Sequence, residues 1–160
     1  MSEVSAYIAA YTVADESRIR FAWNGKHAEG FVDHNGDFRH LVLTAVLADL
    51  SAAPLELVAA LFRAETHFSR EAWGIVEGVG QLAETLLRRG GALYLDDYLE
   101  GKFQSFDASL GSAFEVDLPL AESMLLTVRQ RLEASPDSPK VKLWRAGEQL
   151  FLDWVASCPK

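Results

Sequence analysis

In the first forty-odd residues, short runs of apolar residues alternate with polar ones between turn signals, the period-two pattern of half-buried strands. Ile19, Phe21 and Trp23 alternate with Arg18, Arg20 and Ala22, and Asn24-Gly25 then supplies the positive φ angles of a tight hairpin turn. Tyr7, Tyr11 and Val13 form an earlier run, and a third run ending at Phe31 and Val32 leads into a second Asn-Gly pair, Asn35-Gly36. From Phe38 to Leu47 a buried helix fits almost as well as a strand. Leu41, Leu43, Ala45 and Leu47 fall on one face of an extended segment, so a fourth strand is expected.

From Pro54 onward the period lengthens to that of a helix. Pro54 suits a first helical turn, and Leu55, Val58, Leu61 and Phe62 make one apolar stripe. Ser69 is expected to cap a second helix that runs to Arg89, with Trp73, Val76, Val79, Ala83 and Leu86 inward and Gly90-Gly91 as the stop. Ala92 to Leu99 reads as a short helix, followed by a loop or irregular segment rich in Gly and Ser from Gly101 to Ser112. Asp117 caps a helix with Pro119 in its first turn and Met124, Leu125, Val128 and Leu132 buried, ending at Ser135-Pro136. Ser138-Pro139 starts a last helix whose apolar surface is Trp144, Gly147, Phe151, Trp154 and Val155. The expected fold class is therefore α+β. A three- or four-stranded antiparallel β-meander packs on a C-terminal bundle of four to five helices, within one globular domain, 1–160, strand-rich over 1–47 and helical over 54–157.

Composition supports an independently folding unit: 160 residues, 49% hydrophobic and 24% charged. The single cysteine, Cys158, allows no internal disulfide, and the first ten residues lack the basic and apolar regions of a signal peptide, so a cytoplasmic location is expected. The apolar run from Leu41 to Phe62 is broken by Asp49, Ser51, Pro54 and Glu56, which argues against a membrane span. A formal charge of −8 repels phosphate backbones and anionic lipid and favours basic proteins, so neither nucleic acid nor membrane is expected as a partner.

That charge is concentrated. Between Ala92 and Glu122 seven acids (Asp96, Asp97, Glu100, Asp107, Glu115, Asp117 and Glu122) face one base, Lys102, and are interleaved with Tyr94, Tyr98, Phe103 and Phe106. Aromatic anchors beside carboxylates suit a protein interface. The expected partner-binding residues are Tyr94, Asp96, Asp97, Tyr98, Glu100 and Asp107. The competing arrangement is internal: from Leu126 onward six bases stand against four acids, among them Arg129, Arg131, Lys140, Lys142 and Arg145, and these could neighbour the acids within the chain.

Catalytic and metal patterns are weak. Asp96-Asp97-Tyr98-Leu99-Glu100 resembles, over five letters, the aspartate-rich metal box of prenyl-diphosphate and terpene enzymes, but those use a second acidic motif and a longer bundle. Asp33, His34, Asp37 and His40 are metal-ligating types, yet Asn35-Gly36 between them makes an exposed turn the simpler account. His27 has no evident partner, and His67 with Glu71, one helical turn apart, reads as an exposed pair before an acid–base pair. Gly74, Gly78 and Gly80 lack the sequence context of a phosphate loop and point to close helix packing. No G-x-S-x-G elbow is present, and Cys158 has no activating neighbour in sequence. No metal or cofactor is expected.

In size, acidity, a strand-plus-helix domain and missing catalytic motifs, the chain resembles bacterial immunity proteins as a class, without a shared residue motif. The resemblance implies a non-enzymatic protein that neutralises a basic toxin domain by direct binding. The alternatives are a small metal-dependent hydrolase using Asp96 and Glu100 or the histidine cluster, and a general adaptor or secretion chaperone. A homodimer formed through the last helix would leave Trp144 and Trp154 exposed in the monomer.

Overall fold

The computed structural model describes residues 2–158. Eight α-helices, α1 (Glu3–Ala10), α2 (Gly36–Ala48), α3 (Leu55–Ala72), α4 (Val79–Thr85), α5 (Leu95–Lys102), α6 (Phe106–Gly111), α7 (Leu118–Ala134) and α8 (Val141–Ser157), are joined by short 3-10 and π turns. The expected α+β class and its β-meander are overturned: among the described residues there is no strand, and the only β pairing is one antiparallel bridge, Trp23 to Asp33.

Each replaced strand has a physical reason. Ser2 caps α1 by accepting from the Ser5 N–H, and Tyr7 then turns inward and donates its hydroxyl to the Asp15 carbonyl at 2.9 Å. Residues 19–34 do reverse direction after Asn24-Gly25, but as a wide loop. The Asn24 side chain closes it, accepting from Lys26 and Val32 N–H and donating to the Gly30 carbonyl. The segment from Phe38 to Leu47, expected as a strand, lies within α2. Its buried residues are Arg39, Val42, Leu43 and Val46, a helical i, i+3, i+4, i+7 stripe, whereas Leu41 of the expected strand face is 59% exposed.

α3 is the centre of the molecule, contacting α2, α4, α5, α6 and the 3-10 turn Val13–Arg18. Leu57, Val58, Leu61 and Phe62 are fully buried there. The expected helix from Ser69 to Arg89 is also corrected. Ser69 lies inside α3, which stops when Trp73 enters the left-handed region (φ 55, ψ 49), and α4 restarts only after Gly78 at φ 94. Trp73, expected inward, is 85% exposed. Gly80 has a different role: a Cβ there would lie 2.5 Å from the Ala113 carbonyl oxygen, so only glycine lets α4 approach the chain after α6 this closely.

The second half follows its sequence signals more closely. Asp117 caps α7, accepting from the Leu120 N–H at 2.9 Å, with proline in the first turn, and Ser135 ends it. α7 and α8 pack as a helical hairpin braced by Arg129 to Glu148 at 2.8 Å. Trp144 is buried and Trp154 half-buried against Tyr98, Phe114 and Phe151, so α8 completes the core.

Candidate functional site

The six sequence-expected interface residues separate in space. On α5, Asp96 turns toward the hairpin and accepts from Arg131, from Lys140 at 3.0 Å and from the Trp144 indole N–H at 2.9 Å. Partial burial opposes its ionisation, but these donors and the two cations outweigh it and hold its carboxyl below the usual aspartate range. Glu100 shares Lys140 at 3.0 Å. Asp97 faces the other way and pairs with Arg63 of α3 at 2.6 Å, which also holds Glu16 at 2.8 Å. Tyr98 is fully buried, stacked on Phe62, and burial raises its hydroxyl pKa. Tyr94 is half-buried. The acids of α5 therefore join the helices of their own chain, the internal arrangement that the basic C-terminal residues allowed.

Further along the same acidic segment the picture reverses. Residues Phe106–Gly111, expected as part of a loop, form α6. Ser105 caps it by accepting from Ala108 N–H at 3.0 Å and meets the Ser69 hydroxyl of α3 at 2.9 Å. Lys102, nearly buried, donates to the Ser109 carbonyl at 2.8 Å. Burial lowers the pKa of that ammonium. With Ala108 fixed on the core side, Phe106 and Leu110 lie on the opposite side of the helix, 77% and 60% exposed. Phe103, 43% exposed, ends α5 just before them, and Asp107 sits between them half-buried. The sequence signal for this face was present as the i, i+4 pair Phe106 and Leu110, masked by surrounding Ser and Gly.

A second feature lies at the C-terminal end of α3. Phe68 meets Phe21 and Phe31 edge-on at 5.9 and 5.8 Å, and Trp23 leans over His27 at 4.7 Å. Between loop 19–34 and α3 this leaves a cleft of about 470 Å³, mainly apolar, lined by Ala28, Phe31, Phe68 and Trp73 together with His27 and Glu71. Glu71 does not meet His67 as a hydrogen-bonded pair; its Oε1 accepts from Arg70 at 2.7 Å. The sequence pattern assigns none of the cleft's aromatic residues to a site, since Phe31 reads as part of a strand run and Trp73 as the inward face of a helix.

Asp33 and His40 part company as well. Asp33 turns inward and takes Arg39 Nη2 at 2.6 Å, while its other oxygen accepts from Ala22 and Asn35 N–H. His34 and His40 are exposed. Among the described residues no three His, Cys, Asp or Glu side chains converge in a metal-binding geometry. No described helix is long and apolar enough to cross a membrane. Compared with known protein families, with curated proteins and with solved structures, the chain matches none.

Proposed function

We propose that this chain is a non-enzymatic domain that binds a basic protein partner through the face made by the end of α5 and by α6, acting in the cytoplasm as an immunity protein acts on a toxin. The observation that carries the reading is the outward display of Phe106 and Leu110, 77% and 60% exposed on a helix whose opposite side is locked to the core. A folded domain gains nothing in stability from placing a phenylalanine and a leucine there, whereas a partner gains a pair of apolar anchors on a rigid support. Asp107 beside them and a net charge of −8 favour a cationic surface opposite. The proposed contact thus keeps Asp107 from the sequence expectation and moves the centre from Asp96 and Asp97 to Phe103, Phe106 and Leu110.

The test is capture of partners from the native host by the wild-type chain and by a Phe106→Asp, Leu110→Asp variant. Both positions are exposed, so the variant is expected to melt as the wild type does and to lose the captured partner. Capture of the same partner at undiminished yield by the variant overturns the proposal.

A further inference from the structure

We infer that the cleft between the C-terminal turn of α3 and loop 19–34 is a binding site for a small organic cation with an apolar body, of the arylalkylammonium class. Its volume of about 470 Å³ is that of a small-molecule pocket. Phe31, Phe68 and Trp73 line it, and Trp73 is 85% exposed. An apolar body gains by leaving water against those rings, and a cationic end gains from their negative faces.

The backbone marks the same place independently. Among the described residues only two non-glycine residues have positive φ, Ala28 at 53° and Trp73 at 55°, and both line this cleft. Helices that end in the left-handed region usually do so on glycine, and Gly74 stands one position later with open space around it. Trp73 takes the strained position instead. Strain of this kind collects at ligand sites, where the side chain delivered matters more than its conformational cost.

Charge selects the ligand. Glu71 also lines the cleft, its side chain 17% exposed, and its carboxylate is paired through Oε1 with the half-exposed guanidinium of Arg70. An anionic ligand would meet this carboxylate and the field of a chain at −8. A neutral hydroxyl donates to a carboxylate without an opposing charge, a weaker bond than an ammonium makes. An ammonium adds a second charge-assisted donor to the Glu71 carboxylate while its apolar body lies against the aromatic wall.

The experiment titrates the purified full chain with phenethylamine, phenethyl alcohol and 3-phenylpropionate, read by calorimetry and by tryptophan emission. Phenethylamine is expected to bind saturably and at least tenfold tighter than the alcohol, with the carboxylate weakest. Glu71→Gln should erase the advantage of the amine over the alcohol, and Trp73→Gly should weaken amine binding at least tenfold without lowering the melting temperature. The site is independent of the α6 face, so the Phe106→Asp, Leu110→Asp variant should bind phenethylamine as the wild type does. No saturable binding of the amine, equal affinity for amine and alcohol, or unchanged binding by the folded Trp73→Gly variant would each overturn the assignment.

Discussion

Arg39 and Glu65 form an ion pair of 2.7 Å in which the arginine side chain keeps 2% of its exposure and the glutamate none. Asp33, 5% exposed, closes on the same guanidinium at 2.6 Å, so one buried cation serves two buried carboxylates, and Glu65 Oε2 has no hydrogen-bond partner. The two losses are therefore unequal. Arg39→Met leaves two facing carboxylates without a cation and is expected to cost about 3–5 kcal/mol. Glu65→Gln keeps an acceptor for Arg39 Nε and leaves a balanced pair with Asp33, so its cost should stay near or below about 1.5 kcal/mol. Urea unfolding of the two variants checks the order; equal losses would contradict it.

Asp96 joins α5 to both helices of the α7–α8 hairpin. Its folded pKa is depressed, so its contribution is present above the ordinary aspartate value of 3.8 and is lost as pH falls through the lower folded value. Asp96→Asn should cost about 1.5 kcal/mol near neutral pH, the low end for charge-assisted bonds given a side chain that keeps a quarter of its exposure. The gap between variant and wild type should narrow below pH 3.8 and close at more acidic pH. Denaturant midpoints across pH give the curve, and a gap independent of pH would show that the carboxylate charge is not what holds the helices together.

The glycines near the start of α4 separate by their surroundings. A Cβ on Gly80 meets backbone, 2.5 Å from the Ala113 carbonyl oxygen and 3.2 Å from that of Gly111, so Gly80→Ala should destabilise by about 1–3 kcal/mol despite alanine's better helix propensity. Nothing lies within 4 Å of a Cβ on Gly74, and its φ is not positive, so Gly74→Ala should be neutral or slightly stabilising. Thermal melts of the pair provide the comparison.

Trp73 offers a cleaner separation of packing from strain. Because it is 85% exposed, Trp73→Ala and Trp73→Gly remove the same small contact, but only glycine relieves the left-handed backbone at φ 55. Relief of about 1–2 kcal/mol, less about 0.4–1 kcal/mol for the freer unfolded chain, should leave Trp73→Gly the more stable by up to about 1.6 kcal/mol. If the alanine variant proves more stable, the turn is not strained.

What could be read from the chain depended on whether burial followed polarity. In α7 and α8 it does: Met124, Leu125, Val128, Trp144 and Phe151 are buried as their spacing predicts. In α2 the stripe that faces inward begins with Arg39, a charge buried because Glu65, 26 residues away, and Asp33 neutralise it. Without that partner in view, Leu41, Leu43 and Leu47 look like the buried face of a strand. The alternation of Ile19, Phe21 and Trp23 has a similar origin, since Ile19 is buried while Phe21 packs on Phe68 of α3 and no neighbouring strand exists among the described residues. The acidic segment was visible as charge, but its sharing among Arg63, Arg131 and Lys140 arises from tertiary contacts that the local pattern does not encode.

Loop 19–34 is held by side-chain amides beside the backbone bonds of its one antiparallel bridge: Asn24 closes it from within, and Asn35 Nδ2 donates to the Ser17 and Arg20 carbonyls at 3.0 and 2.9 Å. Each of these asparagines is followed by glycine, the neighbour that least obstructs attack of the next backbone nitrogen on a side-chain amide. Deamidation at Asn35 would replace an amide donor with a carboxylate facing two carbonyl oxygens. Slow alkaline incubation that deamidates either asparagine should loosen this loop while the α7–α8 hairpin stays intact.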